Sequence, residues 1–151
     1  MTIASLLFAG MFAAQAAAAD WHVVTASKSD SDFTLQWIDK SSITASGGHA
    51  HAWAYFVSRA EAIHATVEFD CDRHRVQIDQ ITIEKPDGST QPVPGASGWE
   101  PLSEEEPLNT VMAYVCSGGT TKTALAMSTG TASPVPLSRR VLEDMARQNK
   151  Q

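Results

Sequence analysis

The sequence predicts an α+β domain, a single antiparallel β-sheet with one helix packed on one face and tied to it by a disulfide. Three observations predict it. Segments of alternating apolar and polar residues recur between residues 21 and 93, and a stretch of helical spacing follows at Leu108, Val111, Met112 and Val115. The only two cysteines, Cys71 and Cys116, end one segment of each kind. A strand's inner face and a helix's inner face therefore meet at one covalent point.

The chain opens with MTIASLLFAGMFAAQAAAAD, an apolar run too short to span a bilayer, followed by small residues that fit cleavage after Ala17-Ala18-Ala19. Residues 1–19 read as a secretory signal peptide, although no Lys or Arg precedes the apolar core; an uncleaved N-terminal anchor is the alternative. No cysteine follows the run, so no lipid anchor of the bacterial lipoprotein kind is expected. No later run is long enough to cross a membrane, so the mature chain is expected to be soluble and exported, to the periplasm or the cell surface. An oxidising compartment favours a structural bridge between Cys71 and Cys116 over a redox pair, which is more often CxxC, or a metal site of two distant thiols. The rest divides into one domain, 20–127, and a linker with a C-terminal tail, 128–151.

Taken in order, Trp21–Thr25 suits an edge or first strand, and the polar stretch 27–32 a turn. Phe33, Leu35 and Trp37 alternate with Thr34, Gln36 and Ile38 as a second strand. Gly47-Gly48 offers the positive φ that a tight hairpin needs. The clearest strand is His49–Ser58, with His49, His51, Trp53, Tyr55 and Val57 on one face and Ala50, Ala52, Ala54 and Phe56 on the other. Small side chains let a helix approach closely, so the alanine face is expected beneath the helix. Arg59–His64 reads as a charged connection, and Thr66–Cys71 as a strand whose Val67, Phe69 and Cys71 look at the helix. After Arg75 the apolar positions are Val76 and Ile78, then Ile81 and Ile83; a bulge near Asp79 and Gln80 brings both pairs to one face. Pro86-Asp87-Gly88-Ser89 is a turn and Thr90–Val93 its return strand. Residues 94–101 are irregular backbone around Trp99.

Ser103-Glu104-Glu105-Glu106 has the form of a capping box, and Pro107 suits the first helical position. Gly118-Gly119 stops the helix. Residues 120–125 read as a further strand or an arm, and 128–136 as a linker. Beyond it Val141, Leu142 and Met145 form a thin apolar stripe, which leaves a short helix and an unstructured tail both open.

The net charge of −6 argues against nucleic acid, which demands a basic face. Basic residues gather instead at Arg139, Arg140, Arg147 and Lys150, in a tail that could lie on the acidic body or be solvated, the solvated tail being the plainer reading. His49 and His51 stand two apart on a strand, a spacing that metal sites use, with His22, His64 or His74 as the third ligand; exposed or stacked histidines are the plainer reading. Asp70 and Asp72 flank Cys71 and read as two acids on a solvated face. No catalytic residues are assigned, because no nucleophile context of the GxSxG kind is present, and no cofactor is implied. Trp53, Tyr55 and Trp99 are candidates for an aromatic contact with a protein partner. An exposed sheet edge offers the other contact, to an extended peptide or to a second copy in a homodimer.

The order of Trp21, Trp37-Ile38-Asp39, Ser42-Ile43, Trp53, Asp70-Cys71, Trp99-Glu100-Pro101 and Val115-Cys116 resembles the surface-adhesin protein E family of Gram-negative bacteria. The likeness covers residues 21–116. It implies a sheet of about six strands with a helix tethered to its concave face, and a non-enzymatic module that binds other proteins at the cell envelope or surface. The chain departs from that pattern in lacking a lipid-attachment cysteine and in its tail after Cys116.

Overall fold

The computed structural model describes residues 17–29, 32–95, 98–123 and 125–148. Most of the expected signal peptide, residues 1–16, lies outside them. Nine strands are present among the described residues: β1 (Trp21–Ser29), β2 (Asp32–Asp39), β3 (Thr44–Ser46), β4 (His49–Val57), β5 (Ala62–Asp70), β6 (Arg75–Glu84), β7 (Thr90–Val93), β8 (Glu100–Pro101) and β9 (Ser128–Gly130). All pair antiparallel in one sheet of order β7-β6-β5-β4-β2-β1-β9, with β3 beside β4 and β8 beside β6. Six of the nine are those that alternation marks. The other three, β3, β8 and β9, are two or three residues long, too short for a period of two to show. One of them, β9, falls in the stretch read as a linker, where it pairs with Trp21 and His22, while no strand forms among the described residues of 120–125.

Local chemistry fixes the turns. Gly47 and Gly48 adopt φ of +59° and +79° in a two-residue hairpin that sets Ser46 opposite His49. Residues 62–64, read as connection, belong to β5, because Ser58 N–H donates to Glu61 O (2.9 Å) and closes a tight turn that sets buried Ala62 opposite Val57. The bulge in β6 is present. Gln80 takes φ +50°, and the register with β5 shifts between His64 and Thr66.

Two helices divide the sheet's faces. The first, α1 (Pro107–Cys116), buries Val111, Met112, Tyr114 and Val115 against Ala50, Ala52, Ala54, Val67, Phe69 and Val76. The alanine face thus lies under the helix, and Trp53 on the opposite one. Cys71 and Cys116 are bonded, with Cα atoms 6.1 Å apart. Ser103 N–H and Oγ–H both donate to Glu106 Oε1 (3.2 and 3.0 Å), which closes the turn before α1; Glu106, the N-cap, makes no side-chain bond to the helix, and Pro107 fills its first position. At the other end Gly119 N–H donates to Tyr114 O (2.9 Å) and Gly118 N–H to Val115 O (3.0 Å), a Schellman stop that the two positive-φ glycines permit.

The second helix, α2 (Val135–Gln148), resolves the open reading of the C-terminal stretch. It buries Val135, Ser138 and Leu142 against Trp21, Val23, Leu35, Trp37, Val57 and Ala62 on the sheet's other face. Arg139 lies on the body rather than in solvent, 3.7 Å from Glu84 and donating to Lys85 O (3.3 Å). No helix among the described residues is long and apolar enough to cross a membrane.

Candidate functional site

A ten-residue helix is about 15 Å long, so α1 covers only part of its face. Past its N-terminus the same face continues with Phe56, Ile63, Ile78 and Ile81. These residues, with Pro107 and Leu108, line an open groove of about 440 Å³. The β6 bulge makes this surface, since without the extra residue Ile78 and Ile81 would point to opposite sides.

Two polar side chains border the groove. Gln36, on the interior strand β2, is only 6% exposed; its Nε2 is 3.4 Å from Ser27 Oγ, and its Oε1 is buried with no partner among the described residues. A buried acceptor left unpaired costs about 1–3 kcal/mol, which an incoming donor could recover after a turn of the amide. Glu106 stands at the rim, and Glu104 and Glu105 beside it are exposed, so the mouth of an apolar groove carries negative charge.

The opposite face is polar where α2 leaves it open. Strand register sets His49, Asp70 and Arg75 in one row, His51, Glu68 and Gln77 in the next, then Trp53, Thr66 and Asp79, then Tyr55, His64 and Thr82. The middle rows line a cleft of about 330 Å³, and His49, Thr44 and Ser46 a hollow of about 120 Å³ next to it. Stacking holds its upper edge. His64 lies nearly parallel to Trp53 and to Tyr55, with centroids 4.7 and 4.4 Å away, and Trp21 meets Tyr55 edge-on at 5.0 Å. Burial in this stack pushes the His64 imidazole below its ordinary pKa and the Tyr55 phenol above its own, the latter helped by Glu84 and opposed by a hydrogen bond with Ser133.

The candidate residues separate on this map. Trp53 and Tyr55 come together through His64, whereas Trp99 stands apart, meeting His49 edge-on at 5.4 Å and lying under the Arg75 guanidinium at 5.4 Å. His49 and His51 project from one face, but each has its own partner: His49 Nδ1 is 3.7 Å from Glu68 Oε1, and His51 Nδ1 is 2.6 Å from Thr44 Oγ1. His22 pairs with Asp20 (3.0 Å) and His74 sits in a turn at φ +50°. Among the described residues no group of three His, Cys, Asp or Glu side chains converges as a metal site.

Asp70 departs from the solvated reading. It is 4% exposed and bound by Arg75 Nη2 (2.5 Å) and Arg73 N–H (3.0 Å); the Arg75 hydrogen bond is the chief cause that holds its carboxyl below the usual range. Asp72 is exposed. The groove residues Gln36, Phe56, Ile63, Ile78 and Ile81 escaped sequence reasoning as a site, because each belongs to a strand whose alternation already accounts for it. Comparison with family models, curated proteins and solved structures finds no significant match for this chain.

Proposed function

We propose that the chain is an exported binding module without catalytic activity, of the kind its resemblance to the surface-adhesin protein E family implies, and that it engages a partner protein through the groove beside α1. The observation that carries this reading is an apolar surface, left uncovered by the described residues, on the face where the disulfide fixes the helix. The partner's contact is an apolar side chain flanked by Lys or Arg, which matches apolar walls bordered by Glu104, Glu105 and Glu106. Sheet edges are less suited: β7 has four residues, and Pro92 within it offers no N–H to an added strand. An intact disulfide fits an oxidising compartment and supports the exported reading.

Capture from envelope and host-matrix extracts, followed by affinity measurement on the captured protein, tests this. Ile81→Glu should weaken binding at least tenfold and raised salt should weaken it further, with the fold unchanged by circular dichroism. Capture insensitive to Ile81→Glu and to salt overturns the reading. A second reading, a periplasmic binder of a metal or small ligand on the histidine-bearing strand, is favoured by the cleft beside His51. Zinc titration by calorimetry addresses its metal form, which absence of heat would remove.

A further inference from the structure

We infer that the polar cleft on the face opposite α1 is a saccharide-binding subsite. This deepens the small-ligand reading and does not depend on the groove. The cleft has the two-sided character of a sugar ring, whose C–H face is apolar and whose hydroxyl edge is polar. Its aromatic wall is Trp53, which lines the cleft while the nearly parallel His64 ring stacks on its indole. Its floor is built from acceptors and short polar groups: Glu68, Gln77, Asp79 and Thr66, with His51 at the side.

The charges lining the cleft narrow the ligand. Among the described residues no Lys or Arg lines it, and Arg75 in the neighbouring row is committed to Asp70, so a phosphate, sulfate or carboxylate would meet Glu68 and Asp79 without a counter-charge from them. Hydroxyl groups, which donate, meet these carboxylates well. An organic cation is the competing occupant, but Tyr55 is turned against His64 and Trp21, which leaves Trp53 alone as the aromatic wall and forms no cage.

The cleft is also held in shape before any ligand arrives. Gln77 Nε2 donates to Asp79 Oδ2 (2.8 Å), Thr66 Oγ1 donates to Asp79 O (3.2 Å), and Thr44 holds His51. Gly95 packs directly on Asp79: a Cβ there would run into its carboxylate and stand 3.0 Å from its Cα and from Ile78 O. Such restraint lowers the ordering cost that weakens most sugar sites.

The full exported chain is titrated with the methyl glycosides of glucose, galactose and mannose and with N-acetylglucosamine oligomers, followed by amide NMR shifts and tryptophan fluorescence. Choline and zinc are run in parallel. At least one saccharide should give a saturable shift centred on residues 51–53, 66–68 and 77–79. Gln77→Ala should weaken it about tenfold and Gly95→Ala should weaken it also, with the spectrum elsewhere unchanged. Ile81→Glu, on the other face, should leave it intact, so loss of groove binding and loss of sugar binding are read separately. No saturable shift with any saccharide up to tens of millimolar overturns the inference. So does saccharide binding that Gln77→Ala leaves unchanged, or occupation of the cleft by choline or zinc instead of sugar.

Discussion

Replacing Cys71 and Cys116 together by alanine should lower the melting temperature by about 12–16 °C. The bridge spans 45 residues, and closing a loop of that length restricts the unfolded chain by about 4 kcal/mol in the loop-entropy estimate. For a domain of this size each kcal/mol moves the midpoint by about 3–4 °C. A local effect should accompany the global one. With ten residues, α1 is too short to persist alone and rests on the burial of Val111, Met112 and Val115 and on the covalent tie at its last residue. Without the tie, amide exchange in 107–116 should rise well above that of β4 and β5. Calorimetry of the oxidised, reduced and double-alanine forms, with exchange on the same samples, measures both. A midpoint lowered by less than about 4 °C, with α1 as protected as before, would refute the claim that the bridge holds helix to sheet. Because Glu106, Pro107 and Leu108 wall the groove, partner capture should fall with α1 protection.

Two further outcomes follow from packing and charge. Ala52 is fully buried beneath α1, so Ala52→Leu should cost about 1–3 kcal/mol in urea unfolding by forcing the helix outward, and an unchanged midpoint would mean that no close approach exists there. The folded chain binds a proton at His64 less readily than the unfolded chain, whose value lies near 6.5. Stability from this residue is therefore intact above pH 7 and declines as pH falls through about 6.5 towards the lower folded value. His64→Phe should flatten the decline over that window, and parallel pH–stability curves for the two proteins would remove the stack as its source.

How far the sequence carries depends on length of element. Strands of eight to ten residues declare themselves, as β4 does with Ala50, Ala52, Ala54 and Phe56 on one side and five residues from His49 to Val57 on the other, and so does α1 through its spacing and its paired glycines. Cys71 and Cys116 could be joined in thought because each closes a pattern whose inner face is already known. The fragments β3, β8 and β9 carry no period and exist because a longer neighbour offers them hydrogen bonds. For α2 the obstacle is different. Its apolar stripe looks thin when counted from Val141, since the first buried contact, Val135, stands between Pro134 and Pro136 in a stretch of Ser, Thr, Gly and Pro that reads as linker. Asp70 shows the same limit for charge, because its burial depends on Arg75 across a turn and on β5 register rather than on any local signal.

The two candidate surfaces are linked by one backbone irregularity. In a regular β6 the alternation begun by Val76 and Ile78 would continue through Gln80, and Ile81 would turn onto the polar face among Asp79, Thr66 and Trp53. The extra residue at Gln80 resets the phase: Ile81 joins Ile78 in the groove, while Asp79 remains with Gln77 on the other side. A single bulge thus keeps one face apolar and the other polar, as the proposed side-chain and saccharide contacts require. It also explains why the sequence shows a slipped pattern where a strand of one register would have shown none, and it places Ile78 and Ile81 of the groove within a few positions of Gln77 and Asp79 of the cleft on the same strand.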